Sequence, residues 1–257
     1  MKKIFDSHAH YDDEQFDEDR EGLLKELQEN GVEGILNMSS DYDSIASMVK
    51  LTEDYDFIYG AVGIHPEHAE QFNETVKAEL IALLKTPKIR AVGEIGLDYY
   101  WDTNPPREIQ KKVLREQFEI AKSLGLPVIL HDRESHQDIL EIVKAYPEVK
   151  GIFHSFSGSV EMAKEVVALG YYVGISGVVT FKNARKLPEV IEAVPLDRLL
   201  IETDAPYMSP EPNRGKRNRS DYLYSVAEKV AAIKGTTSDE VLEATAANIR
   251  KLLGLEM

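Results

Sequence analysis

The sequence predicts a closed (β/α)8 barrel in a single domain spanning 1–257, with extra helices at its carboxyl end. Three observations carry that expectation: eight β-rich runs, helix-spaced segments between them, and a length of 257 residues that suits one large core. The runs are KKIFDSH, VEGILNMS, FIYGAVGI, IRAVGEIG, PVILH, KGIFHSF, YYVGISGVV and RLLIETD, rich in Val, Ile, Phe and Tyr and bounded by Gly or Pro. They recur at spacings of 21 to 37 residues, room for one strand and one helix each time. Such alternation means parallel strands joined by right-handed crossovers, for which an open doubly wound sheet is the competing architecture.

The segments between the runs have helical periodicity. Leu23, Leu24 and Leu27 precede a stop at Asn30-Gly31, and Val113, Leu114, Phe118 and Ala121 precede one at Gly125-Leu126-Pro127. After the eighth run come a loop, Tyr207 to Asn218, and two helices. The last opens on a capping box, Thr237 to Glu240, turns Val241, Leu242, Thr245, Ile249 and Leu252 inward, and ends at Gly254. The acidic stretch from Asp12 to Asp19 lacks the spacing of a calcium loop and reads as a carboxylate-rich helix start. No linker, repeat array or low-complexity tract divides the chain.

Composition removes several function classes. Apolar residues make up 43% and charged residues 29%, which is a globule and not a disordered tail. With no cysteine there is no disulfide framework, thiolate nucleophile or iron-sulfur cluster, and any metal must sit on His, Asp and Glu. The longest nearly apolar stretch, Val166 to Ile175, has ten residues and two glycines, against the roughly 20 that a membrane span needs. Met1-Lys2-Lys3 opens as a signal peptide does, but Asp6, His8 and His10 follow before any apolar stretch, so a cytoplasmic location is expected. A net charge of -15 argues against a general grip on nucleic acid, with one local exception: Arg214, Lys216, Arg217 and Arg219 fall within six residues. A solvated loop is the alternative reading of that cluster.

Side chains alternate along a strand, so residues two apart share a face. On that rule Ile4, Asp6, His8 and His10 share a face in the first run, Val92 and Glu94 in the fourth, Ile129 and His131 in the fifth, Ile152 and His154 in the sixth, and Leu200, Glu202 and Asp204 in the eighth. Each face carries an apolar residue below and a metal-type ligand at the carboxyl end, where barrel enzymes place their sites. Any one of these histidines alone reads as well as an ordinary core or turn residue. Six such groups from five strand ends are costly to bury together unless a cation pairs them.

Four His, one Glu and one Asp exceed the needs of one tetrahedral zinc, whereas two five- or six-coordinate cations would use all six and leave room for water. Glu94 is the residue expected to bridge two ions about 3.5 to 4 Å apart. Such a pair lowers the pKa of a shared water toward about 7 and yields hydroxide without serine or cysteine, which points to hydrolysis. Asp204 is expected to bind one ion and to move a proton, with Asp6 and Glu202 orienting imidazoles from one step lower. No G-x-S-x-G elbow, P-loop or G-x-G-x-x-G fingerprint is present.

FDSHAHYD, GIHPEH (63–68), GEIGLDYY (93–100), HSFSG (154–158), ETDAPY (202–207) and PNRGKRN (212–218) together resemble the TatD family of metal-dependent deoxyribonucleases over essentially the whole chain. The resemblance implies a TIM barrel, a divalent-metal site and nuclease activity, often exonucleolytic from the 3' end. Carried over by motif, its metal ligands are His8, His10, Glu94, His131, His154 and Asp204, the six that strand alternation selects. Glu94 stands where many wider amidohydrolase-like relatives have a carboxylated lysine, which favours the TatD side. Asn213 departs from the family, which commonly has His before Arg-Gly-Lys-Arg-Asn, and that bears on substrate preference.

A nuclease gives the remaining polar residues work. Glu202, Glu94 and Asp204 join His65, a candidate to contact the scissile phosphate or the leaving group, as the catalytic set. For His65 the alternative is a turn histidine before Pro66. Arg133, Arg214, Lys216 and Arg217 are the candidates to bind phosphate, and Tyr99, Tyr100, Trp101 and Phe156 are candidates to stack on bases or else to pack as loop residues. The expected substrate is DNA, single-stranded or with frayed ends, and RNA as well, with two cations of magnesium, manganese or zinc and with no membrane or obligate protein partner. One rival keeps the metal centre and attacks a carboxyl ester such as a misacylated aminoacyl-tRNA, a lactone or an amide. Another is a scaffold stabilised by its metals, against which the open coordination of the ligand set argues.

Overall fold

Apolar residues dominate the middle of each of the eight runs because a barrel strand is buried on both faces, against the interior on one side and the helices on the other. In a computed structural model that describes residues 4–255, the strands are β1 (Ile4–Ala9), β2 (Val32–Met38), β3 (Ile58–Val62), β4 (Ile89–Asp98), β5 (Val128–Arg133), β6 (Gly151–Phe153), β7 (Tyr172–Ile175) and β8 (Leu199–Ile201). Lys2 and Lys3, read as part of the first run, lie outside the described residues. Each strand pairs in parallel with the next in order. The ends meet where Asp204 N–H donates to His8 O at 2.9 Å and His10 N–H to Ala205 O at 2.8 Å. That closure is the expected (β/α)8 TIM barrel.

The helices are α1 (Arg20–Glu29), α2 (Ser44–Asp54), α3 (Glu74–Leu83), α4 (Arg107–Leu124), α5 (His136–Ala145), α6 (Val160–Ala168), α7 (Lys186–Ala193), α8 (Leu223–Lys234) and α9 (Ser238–Leu253). α1 buries Leu23, Leu24 and Leu27 and stops at Asn30, and α4 ends on Gly125 in the left-handed conformation, as their sequences predict. Among the described residues no helix is long and apolar enough to cross a membrane. The acidic stretch makes a single 3-10 turn, Glu14–Phe16, capped by Asp13, before α1 begins.

Two apolar layers result. The inner one takes Phe5, Leu36, Met38, Ala61, Ala91, Ile129, Ile152, Tyr172 and Leu200 from the eight strands and Ala246, Ile249 and Leu253 from α9. α9 has the expected capping box at Thr237 and Glu240 and is tied to the start of β8 by Asn248 Nδ2, which donates to Leu196 O at 3.0 Å and Leu199 O at 2.9 Å. It thus covers the amino end of the barrel and leaves the carboxyl end open. Leu253, not Leu252, is its fully buried last residue; Leu252 is half-buried.

Strict alternation fails in two strands. Ile4 and Val92 pack in the outer layer with the helices, not beneath the ligands as the sequence suggested. The cause is a one-residue bulge in each: β1 runs Asp6 to Ala9 against Ile35 to Asn37 of β2, and β4 runs Val92 to Ile95 against Val128 to Leu130 of β5. The bulges return His8, His10 and Glu94 to the inside. In β5, β6 and β8 simple alternation places Ile129, Ile152 and Leu200 beneath the site.

Candidate metal centre

Glu94 stands at the middle of the open end, and its two carboxylate oxygens face different neighbours. Oε2 lies 3.3 Å from His8 Nε2 and 3.7 Å from His10 Nε2. Oε1 lies 3.1 Å from His131 Nδ1, 3.3 Å from His154 Nε2 and 3.8 Å from His65 Nε2. Asp204 Oδ1 completes the first group at 3.5 Å from both His8 and His10 Nε2. All six sequence-selected ligands therefore converge, and three overlapping donor sets form: His8, His10 and Asp204; His8, Glu94 and His154; His65, Glu94 and His131. Asp204 reaches its place on a left-handed backbone, φ 57°, which aspartate tolerates better than most residues.

Behind the imidazoles stand buried carboxylates. Asp98 Oδ2 is 3.0 Å from His131 Nε2 and leaves Nδ1 turned to the centre. Glu202 Oε1 is 3.2 Å from His154 Nδ1, an electrostatic contact that falls short of hydrogen-bond geometry, and it accepts the Ser155 N–H. Gly174 makes room for Glu202, since a Cβ there would sit 2.5 Å from Glu202 Oε2. Glu202 thus lies buried under the site, against His154. Sequence reasoning missed Asp98, although it sits in the GEIGLDYY motif four residues after Glu94.

Asp6 does not reach an imidazole, contrary to expectation. Its carboxylate accepts the Thr203 N–H at 3.0 Å, the Thr203 Oγ1 and Ser220 Oγ hydroxyls at 2.6 Å, and the His8 N–H at 3.3 Å. The bulge turns it outward, where it ties β1 to the chain after β8. Burial pushes its carboxyl up to about 6 against those hydrogen bonds.

The metal-free electrostatics follow from burial of many charges in one place. Burial opposes ionisation of Glu94, but the His154 and His8 imidazoles hold it well below the usual range; Asp204, likewise buried, falls to about 2 through His10, His154 and His8. Burial disfavours the imidazolium everywhere, yet Asp204 and Glu94 raise His10 to about 9, and Asp98 and Glu94 raise His131 to about 10. His65 goes the other way, to about 3, through burial and the neighbouring His131. Its Nδ1 accepts the Glu67 N–H at 3.3 Å, so Nε2 carries the hydrogen and faces the centre as a donor.

Imidazole and carboxylate donors packed this closely, with His8 and His10 Nε2 only 3.2 Å apart, are the chemistry of a divalent cation site. Gly96 lets the backbone carry it. Its φ is 157°, and a Cβ there would meet His131 O at 1.9 Å. Gly96→Ala is therefore expected to push β4 and β5 apart at His131, lowering the unfolding temperature and the metal content together. Thermal unfolding and elemental analysis check this; unchanged metal content would contradict it.

The candidates for substrate contact divide. Arg133 is exposed, with its guanidinium 3.9 Å from the Tyr100 ring centroid. Arg214 and Lys216 are exposed, Arg214 lying 4.3 Å over Phe181. Arg217 is instead held by Asp19 at 2.6 Å and packs over Phe16, and Arg219 is paired with Asp221 and Glu26. Among the aromatics, Phe156 is buried and Tyr99 donates its hydroxyl to Asp138 at 2.7 Å, while Tyr100 and Trp101 are open.

The family profile described as TatD related DNase matches residues 5–254. The chain belongs to the TatD family. A relative in Bacillus subtilis strain 168, the uncharacterised metal-dependent hydrolase YabD, is 42% identical over 251 residues, covering 97% of this chain and 98% of its own. The crystal structure of the TatD homologue YJJV from Escherichia coli K12 superposes with a TM-score of 0.92 at 33% identity, covering 98% of both chains. A TatD family hydrolase from Entamoeba histolytica shares the fold with a TM-score of 0.88. As a TatD protein the chain is one of a family of metal-dependent hydrolases, and its clustered His, Glu and Asp donors could hold a metal ion.

Proposed function

We propose that this TatD protein hydrolyses phosphodiester bonds of DNA, and of RNA as well, removing nucleotides from the 3' end with two divalent cations. The observation that carries the reading is the division of Glu94: Oε2 faces His8 and His10, whose Nε2 atoms Asp204 also approaches, while Oε1 faces His131 and His154. With one donor group on each oxygen, Glu94 would help to hold two ions, of magnesium, manganese or zinc, one with each group. When bound, such ions supply Lewis-acid activation of water and neutralise charge on the phosphate.

The protein's own groups complete the reaction. Asp204 stays ionised and, with its side chain 18% exposed, is the more open of the two carboxylates flanking His8, placed to accept the proton of the attacking water. His65 presents Nε2–H to the phosphate or to the departing oxygen. Asp98 fixes the His131 ring through a hydrogen bond, and Glu202 places its charge beside His154 Nδ1. Arg133, Arg214 and Lys216 make a positive rim on an acidic body, which fits a strand threaded end-on.

An end-labelled single-stranded oligonucleotide, digested by protein loaded with each cation, tests the reading. Stepwise loss from the 3' terminus that stops with chelator is expected. Turnover confined to aminoacyl, lactone or amide substrates in a parallel panel would overturn it.

A further inference from the structure

Two adjacent large aromatic side chains are left in the open just after β4, the strand that carries Glu94. Tyr100 is 46% exposed and Trp101 is 50% exposed, and their rings meet edge to face at 4.6 Å. The Arg133 guanidinium lies 3.9 Å from the Tyr100 centroid and 5.4 Å from that of Trp101.

The segment that carries them is tied down. Asp98, wholly buried, spends Oδ2 on His131 and accepts the Tyr100 N–H on Oδ1 at 2.9 Å. One carboxylate thus sets the position of a candidate metal ligand and of an exposed ring. Gln110, also buried, accepts the Asp98 N–H at 2.9 Å and donates to Asp98 O at 3.0 Å and Pro105 O at 2.8 Å. Asn104 N–H donates to Trp101 O at 3.1 Å, Asn104 Nδ2 to Asp98 O at 3.2 Å, and Tyr99 N–H to Arg133 O at 2.9 Å. Pro105 and Pro106 close the segment before α4. Rings held this way lose little freedom when a flat ligand stacks on them.

We infer that Tyr100, Trp101 and Arg133 form a rigid stacking platform for an unpaired nucleobase at the rim of the metal centre. Every base has a π face, so the platform takes any of the four and favours single-stranded or frayed ends over closed duplex. The cation beside the rings suits the phosphate that each base carries. The inference rests on the phosphodiester reading and deepens it by naming the residues that hold a base of the entering strand.

Trp101 is the sole tryptophan of the chain, so its fluorescence reports the platform directly. Titration of the whole protein with a single-stranded thymidine oligonucleotide is expected to quench the indole. An oligonucleotide of the same length with abasic residues at both ends is expected to leave it bright. In turnover, the parent protein should prefer the base-bearing strand by about fivefold to a hundredfold in KM, the range alanine substitution gives for one stacked base. Trp101→Ala should lose that preference and Trp101→Phe should restore most of it. Unchanged fluorescence at oligonucleotide concentrations that saturate cleavage would overturn the platform and leave the phosphodiester reading standing. Quenching by the base-bearing strand with no cleavage of any strand would support the platform and sink the reading beneath it.

Discussion

Glu94→Gln is expected to lower hydrolytic turnover by roughly 10²- to 10³-fold or more, the several kcal/mol that a metal's charge stabilisation supplies. Glutamine nearly matches the shape but offers one acceptor oxygen and one NH2. However the amide turns, the NH2 faces either His8 and His10 or His131, His154 and His65. One of the two donor groups then loses its carboxylate, and elemental analysis should find the metal content reduced. The metal-free protein should also suffer. Removing the counter-charge from this buried cluster costs about 3 to 5 kcal/mol in comparable pairs. The sign of the pH dependence is fixed by the depressed Glu94 pKa. Its contribution is complete above the ordinary value of 4.5 and disappears as pH falls through the folded value, so the gap between parent and variant should be widest near neutrality and narrow in acid. A Glu94→Gln protein with full metal content and parental turnover would show that the carboxylate bridges nothing.

The barrel and its six converging ligands were legible because two periodicities, one for strands and one for helices, alternate through the chain without interruption. What escaped was local backbone geometry. A bulge adds one residue to a strand and leaves no mark in composition, so Ile4 and Val92 were placed beneath ligands when they pack outside. Asp6 failed for the same reason. The reading of β4 also stopped at Glu94, although Asp98 shares its alternation and touches His131. Long-range pairing was equally hidden. Arg217 looks free in a basic loop, yet the carboxylate that occupies it, Asp19, is 198 residues away in sequence. The adjacent Tyr99 and Tyr100 parted: the first donates its hydroxyl to Asp138, while the second is left 46% exposed.

Affinity for divalent cations is expected to climb steeply with pH, by about 10²- to 10⁴-fold between pH 6 and 8 if one to two protons leave on binding. His10, held at about 9, and His131, held at about 10, both carry a proton across that range in the metal-free protein. An imidazole must shed the hydrogen from the nitrogen that binds. His131 can do so at Nδ1 while keeping Nε2–H on Asp98, and His10 can do so at Nε2. Each proton released adds one decade of affinity per pH unit. Stability of the metal-free chain should run the opposite way. A raised histidine pKa contributes fully below its ordinary 6.5 and is lost as pH rises through about 9 for His10 and about 10 for His131. Alkaline conditions should therefore weaken the empty fold and tighten the filled one. Calorimetric titration with manganese or zinc in two buffers of different ionisation enthalpy counts the protons. Zero release, with affinity flat from pH 6 to 8, would mean that neither histidine holds a proton in that range for a metal to displace, and the expected pH dependence would be overturned.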